Sequence, residues 1–357
     1  MKVLLKDIAD IKAGQGAPQD DEDYSRNGIP FIKAGNLQQL LNGLDVNNLQ
    51  KVSNDVASQY KLRLYPKGTI LFAKSGMSCM KGYIYVLPCN AYVVNHLACI
   101  IPYGDYSDYL KYYLTYHKPS NLIKDNSYPS ISLNDIGNQI IDFKTEKKQK
   151  TIVKQMKLLE QNISCLKKAS KKYDDFIKAR FVEMFCHKGY TVLEWNDVFN
   201  TRTGKLDSNA ATENGKYPFF TCSKDILYID DFGFDQEALL LAGNNAAGKY
   251  DVKYYKGKFN AYQRTYVLTL RGNWSYQLFR YQLEDKLEYL RQQSLGGLTK
   301  YLTMKILGEL SFIIPPIEKQ KEFELFVQQV DKSREEVKRS LEKTQQLYDS
   351  LMQEYFG

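Results

Sequence analysis

The sequence predicts an α+β chain in which two mixed α/β globular domains alternate with two long helices that pair as an antiparallel coiled coil, giving a pseudo-twofold internal repeat. Three observations predict it. A stretch near residues 133 to 186 returns 171 positions later with the same apolar rhythm. Two regions carry short apolar runs between turn formers, the mark of strands. Two others carry an apolar seam that steps by four and three, the mark of paired helices.

The repeat is legible at both ends of each half. Leu133 to Phe143 followed by Glu-Lys-Lys-Gln-Lys (146–150) matches Met304 to Ile314 followed by Ile-Glu-Lys-Gln-Lys (317–321). Val3, Leu4, Asp7, Ile8 and Gly14 find partners in Val192, Leu193, Asp197, Val198 and Gly204, and Ile29-Pro30-Phe31-Ile32 finds Tyr217-Pro218-Phe219-Phe220. Two similar halves suit a two-part target.

Residues 1–145 form the first domain. Pro66-Lys-Gly-Thr-Ile-Leu-Phe-Ala73 and Ala91-Tyr-Val-Val94 read as strands, and Tyr106 to Tyr116 as a helix. Residues 189–316 repeat the plan, with Ala238 to Ala242 as a strand and Tyr276 to Arg291 as helix.

The helices occupy residues 146–188 and 317–357. The first seam is Ile152, Met156, Leu159, Ile163, Leu166, Ser170, Tyr173, Ile177, Arg180 and Met184, with eight of ten positions apolar. The second is Phe323, Val327, Val330, Arg334, Val337, Leu341, Thr344, Tyr348, Leu351 and Tyr355, again eight of ten. Each stripe is narrow and both have one length, so the helices are expected to pair with each other, and about 37 residues of helix make a rod of roughly 55 Å.

With 357 residues and a net charge of +8, the chain is long enough for two cores and favours a polyanionic partner. The excess sits on the first helix, where Lys147 to Lys188 holds twelve Lys or Arg against Glu160, Asp174, Asp175 and Glu183. Six cysteines without a CxxC pair and a polar start predict a reducing, cytoplasmic location, and no apolar run is long enough for a bilayer.

Several motifs approach catalytic or metal-binding patterns without completing them. Gly243-Asn-Asn-Ala-Ala-Gly248-Lys249-Tyr250 approaches a phosphate-binding loop, yet Tyr250 stands where a Mg²⁺-binding hydroxyl is required and the residues from Asp251 read as a strand. His96 and Cys99 read as a core pair rather than metal ligands, and Cys186-His187 as structural. Asp235 and Glu237 lack the lysine of a nuclease motif. No metal site and no catalytic residue is assigned.

The order of parts, domain, helix, domain, helix, resembles the specificity subunit of type I restriction-modification systems. The resemblance covers essentially the whole chain. It is carried by Leu298-Thr-Lys-Tyr-Leu-Thr-Met-Lys-Ile-Leu to Ile313-Ile-Pro-Pro-Ile-Glu-Lys-Gln-Lys and by its first copy, Tyr128-Pro-Ser-Ile-Ser-Leu-Asn-Asp-Ile to Glu146-Lys-Lys-Gln-Lys. One departure is Phe143-Lys144-Thr145 in place of Pro315-Pro316, which predicts a looser start to the first helix.

The resemblance implies two target-recognition domains that each read half of a split DNA site, with helices that set the distance between halves and dock two DNA methyltransferase subunits. Two restriction/translocase subunits join for cleavage. S-adenosylmethionine, ATP and Mg²⁺ are then expected on those partners, with none bound by this chain. Two readers on one face of B-DNA sit about one turn apart, roughly 34 Å. A fused methyltransferase-nuclease system with the same recognition fold, and a duplicated scaffold that binds only protein, are the alternatives.

DNA contacts are expected from polar loops: Gln15, Lys33, Asn36, Lys74, Ser75, Lys81, Tyr83, Lys124 and Tyr128 in the first domain. In the second they are Arg202, Lys205, Lys224, Asn244, Asn245, Lys249, Tyr250, Gln263, Arg264 and Lys300.

Overall fold

A computed structural model describes residues 1–186, 189–245, 248, 250–296 and 299–357. The chain divides into two units, Met1–Lys167 with Arg339–Gly357, and Lys168–Lys338. Each holds one globular part and a portion of both long helices, Glu146–Phe185 and Ile317–Phe356, which are 40 residues each.

In the first unit Ala9–Ala13, Leu97–Pro102, Ile70–Ala73 and Tyr85–Val86 lie side by side as one antiparallel sheet. A second sheet sets Ile29–Ile32 parallel to Tyr92–Val93. The second unit repeats this order in Phe199–Thr203, Thr265–Leu270, Phe234–Ala242 and Val252–Ala261, with Tyr217–Phe220 parallel to the end of the last strand.

The halves differ where Val252–Ala261 runs unbroken for ten residues, whereas Tyr85–Val86 and Tyr92–Val93 are separated by a segment containing Pro88. Proline has no N–H to give a ladder, so the first unit splits into two sheets what the second keeps as one of six strands.

Two further elements recur. Ser132 and Thr303 each cap a short helix by accepting from the backbone N–H three residues on, Asp135 and Ile306. Lys2–Leu4 pairs antiparallel with Ile140–Asp142, and Thr191–Glu194 with Ser311–Ile314, so each long helix follows the second strand of a two-stranded ribbon.

The long helices pack antiparallel within each unit. In the first, Tyr355 Oη donates to Gln155 Oε1 at 2.6 Å and Tyr348 Oη to Glu160 Oε1 at 3.5 Å, and Ile152 and Met156 share a core with Met352 and Phe356. In the second, Ile177 and Met184 pack with Phe323, Val327 and Val330. Arg180 and Arg334, two polar interruptions of the seam, make the cross-helix bonds to Glu322 at 2.8 Å and Asp174 at 2.6 Å.

Leu159 and Ile163 are buried, while Leu166, Tyr173, Val337, Leu341, Tyr348, Leu351 and Tyr355 are half-buried. At the end of the second helix the most buried side chains are Met352 and Phe356, one place beyond the expected Leu351 and Tyr355. The last turn faces its domain, with the Phe356 ring 5.6 Å from Tyr109 and its carbonyl 2.7 Å from His117 Nε2.

The start of the first helix is not left open by the loss of Pro-Pro. Gln149 Nε2 donates to the Lys144 carbonyl at 2.9 Å, and the Phe143 ring packs edge-on against Tyr106 at 4.9 Å.

Candidate nucleic-acid interface

In the first unit the ends of several strands meet around one turn. The Leu97 N–H donates to the Val94 carbonyl at 3.0 Å, which makes Val94–Leu97 a β-turn with Asn95 and His96 at its centre. Gly14 donates to Leu97, Asn95 to Gln15, Val94 to Ile32 and Lys74 to His96, and Lys74 in turn accepts from Ile131. Ser75 then bridges to Ser130. The rim so formed carries Gln15, Lys33, Lys74, Ser75, His96 and the exposed Tyr128 segment.

The second unit builds the same rim. Thr265 donates to Tyr262 at 2.8 Å, placing Gln263 and Arg264 at the centre of the turn Tyr262–Thr265. Gly204 donates to Thr265, Gln263 to Leu206, Tyr262 to Phe220 and Gly243 to Arg264, and Gly243 accepts from Leu302. Asn244 and Asn245 pair with Tyr301 and Lys300. The two glycines are required by close approach: a Cβ on Gly14 would fall on the Val94 carbonyl oxygen, and one on Gly204 on that of Ala261.

Charge separates the rim of the second unit from its surroundings. Lys253 pairs with Asp251, Lys256 with Glu237 and Arg291 with Glu288. Among the described residues, Lys205, Lys224, Arg264 and Lys300 have no carboxylate partner. Below the rim, Arg202 and Arg271 line an open cleft of about 380 Å³ with Asn200, Thr201, Gln236, Val267 and Thr269, and that lining holds no carboxylate. Such a surface attracts anions and leaves its guanidinium groups free to bind them.

Several expected contacts have structural tasks. Gln15 uses both ends of its amide on the backbone, donating to Lys61 O at 2.8 Å and accepting from Arg63 N. Asn36 Oδ1 accepts from Lys33 N at 2.8 Å beside the start of the helix Asn36–Leu41. Lys33 Nζ reaches Gln50 Oε1 at 2.9 Å and lies 4.3 Å from the Tyr24 ring centre. Lys124 bonds to Asp135 at 2.9 Å, a bond that holds that carboxyl below its ordinary range.

Lys81 lies 5.9 Å from the Tyr83 ring, and that ring is partly packed into the core. Tyr128 is 84% exposed and free to stack. Tyr250 is corrected: at 7% exposure it packs among Leu241, Val252 and Leu302, because the strand that follows turns it inward. Lys249 lies outside the described residues, as does His187. Val252–Ala261 is a strand, so no helix N-terminus stands at the Gly243 segment to hold a nucleotide phosphate.

The expected core pair of His96 and Cys99 is half right. Cys99 is fully buried, and burial pushes its thiol up to about 12. His96 is exposed in the turn, its Nδ1 2.8 Å from Ser75 Oγ. Among the described residues no cluster of three metal-ligating groups forms. Asn95 and Tyr301 on the rims and Arg271 in the cleft stand outside the expected set. The usable signal was the Gly14/Gly204 match, which marks the strands that meet the two turns.

The geometry thus defines a duplicated binding fold with one polar rim per half. The family model for the type I restriction modification DNA specificity domain matches residues 1–172 and again 187–345, and the chain belongs to that family. It is 36% identical over 129 residues to the type I restriction enzyme EcoDI specificity subunit of Escherichia coli, covering 35% of this chain and 28% of that protein. It is 28% identical over 144 residues to the MjaIX specificity subunit of Methanocaldococcus jannaschii, covering 38% and 32%. The aligned stretches thus span about a third or less of these curated relatives.

A crystal structure of a type I restriction-modification system S subunit from M. genitalium shares the fold over 100% of this chain and 96% of its own, with a TM-score of 0.64 at 15% identity. A second structure, from work on complex assembly and conformational transition of the type I R-M system, covers 100% and 97% with a TM-score of 0.58 at 15% identity.

Proposed function

We propose that this chain is the DNA-reading subunit of a type I restriction-modification complex, with residues 1–145 and 189–316 as target-recognition domains for the two halves of a split double-stranded site. The observation that carries the reading is the duplicated rim: one hydrogen-bonded frame occurs twice and presents different exposed side chains each time. A shared frame with different side chains suits two unlike half-sites.

In this reading the long helices set the distance between half-sites and dock two methyltransferase subunits, with two restriction/translocase subunits joining for cleavage. The chain chooses the sequence, and catalysis with S-adenosylmethionine, ATP and Mg²⁺ belongs to the partners in the cytoplasm. No described helix is long and apolar enough to cross a membrane. The unpaired cations supply sequence-independent affinity through phosphates.

The test is a genome-wide map of methylated adenine in the host with and without the gene, followed by exchange of residues 1–145 for the first domain of another family member. Loss of one split motif on deletion, and a change in one half of it on exchange, is the expected result. A scaffold that binds only protein would leave the methylation map unchanged and show no steep salt dependence of DNA binding.

A further inference from the structure

The two turns occupy equivalent places in the two frames, since six backbone hydrogen bonds match one for one. His96 corresponds to Arg264 and Asn95 to Gln263: Lys74 N–H donates to His96 O as Gly243 N–H does to Arg264 O, at 2.9 Å in both, and Asn95 and Gln263 donate in turn to Gln15 and Leu206. We infer that Asn95-His96 and Gln263-Arg264 are the paired base-reading elements of the two domains, each presented to the major-groove edges of one half-site. The inference rests on the DNA-reading function proposed above and names the residues that choose bases.

All four side chains are exposed, yet they stand on a backbone fixed from below, because Val94, Leu97 and Thr265 are buried and every strand end at the rim bonds to the turn. A side chain that reads an edge must be held this way, since small errors of position cost the discrimination.

The side chains differ in what they have left to offer an outside partner. Gln15 spends both ends of its amide on backbone partners, and Asn36 spends its Oδ1. Arg264 has no carboxylate partner among the described residues, so its whole fork is available. Gln263 Nε2 reaches Asp207 Oδ2 at 3.3 Å, which steadies the amide and leaves its oxygen free. His96 is anchored through Nδ1 to Ser75 Oγ at 2.8 Å, and the other ring nitrogen remains for an outside partner.

In the major groove Arg bonds guanine O6 and N7, and Asn or Gln bonds adenine N6 and N7, so each turn carries at least one side chain of a base-reading type. The frame is held constant between halves, down to the glycine that the turn presses upon, while this dipeptide changes.

The experiment selects bound sequences from a DNA library of randomised split sites, using the full chain assembled with its methyltransferase partner. Arg264→Ala and Arg264→Lys are each expected to lower discrimination about 5- to 100-fold at one or two base pairs of one half-site, the value of a bidentate base contact. His96→Ala should do the same in the other half only. The untouched half is the folding control within the same molecule. Arg264→Lys keeps the charge, so an unchanged sequence preference with that variant, or a uniform loss of affinity across all sequences with Arg264→Ala, assigns the residue to phosphate and overturns the inference. A wild-type complex that selects no split sequence overturns the functional reading beneath it instead.

Discussion

Gln320 donates its side-chain Nε2–H to the Pro315 carbonyl at 2.8 Å, and 171 residues earlier Gln149 donates to the Lys144 carbonyl at 2.9 Å. This is the physical content of the repeated Lys-Gln-Lys pattern: the lysines face solvent, and the glutamine is buried to close the turn from strand to helix. Gln320 does more, because its Oε1 also accepts from Ser275 N at 3.0 Å. Gln320→Ala leaves two buried backbone groups unpaired and should cost about 2 to 4 kcal/mol, against about 1 to 2 kcal/mol for Gln149→Ala. Urea unfolding of the two variants checks the order, and an equal or larger loss for Gln149→Ala would contradict it.

Around Glu160 three donors converge, Lys111 Nζ at 2.9 Å, Tyr112 Oη at 2.9 Å and Tyr348 Oη at 3.5 Å. Burial, and then Glu160 itself, raises the pKa of both hydroxyls above the ordinary tyrosine value. Burial raises those of Tyr109, Tyr254 and Tyr281 as well. The unfolded chain therefore releases protons near pH 10 that the folded chain keeps, and stability falls as pH rises past that value. The urea midpoint should drop between pH 9 and 11, and Tyr112→Phe with Tyr348→Phe should flatten the drop. A slope identical to wild type would show that these hydroxyls do not carry it.

Thiol reactivity separates the cysteines. Cys165 is exposed on the central helix, whereas Cys99 has no exposed surface and a thiol pushed up to about 12. A thiol reagent at pH 8 should label Cys165 within the native state and reach Cys99 only on unfolding. Native labelling of Cys99 at the rate of Cys165 would mean that the strand Leu97–Pro102 opens locally.

Much of the fold is legible in the sequence because it is local or periodic. The seam steps by four and three, the strands lie between turn formers, and the duplication checks one half against the other. The rim is less legible because it is made by strand ends far apart in the chain, such as Gly14, Ile32, Lys74 and Ile131 around Val94–Leu97. His96 looked buried because it sits in the apolar run Tyr92 to Ile101, where Asn95 is the sole turn-forming residue. Tyr250 looked available because a Gly- and Asn-rich stretch precedes it, yet the strand Val252–Ala261 sets its direction.

The Arg202 and Arg271 cleft offers a contrast with the turns. Both arginines line one open cleft, beside hydroxyl and amide side chains, and neither has a carboxylate partner among the described residues. In the proposed DNA complex such groups would meet phosphate, and each phosphate contact contributes about 0.9 to the slope of log K against log salt. Arg202→Gln and Arg271→Gln should therefore each lower that slope by about 0.9 and weaken binding evenly across sequences, whereas substitutions at Arg264 should change which sequence is bound. Titration of one cognate and one scrambled duplex at several salt concentrations separates the two behaviours. A cleft variant that loses affinity for the cognate duplex alone would place base recognition on the sheet face rather than on the turn.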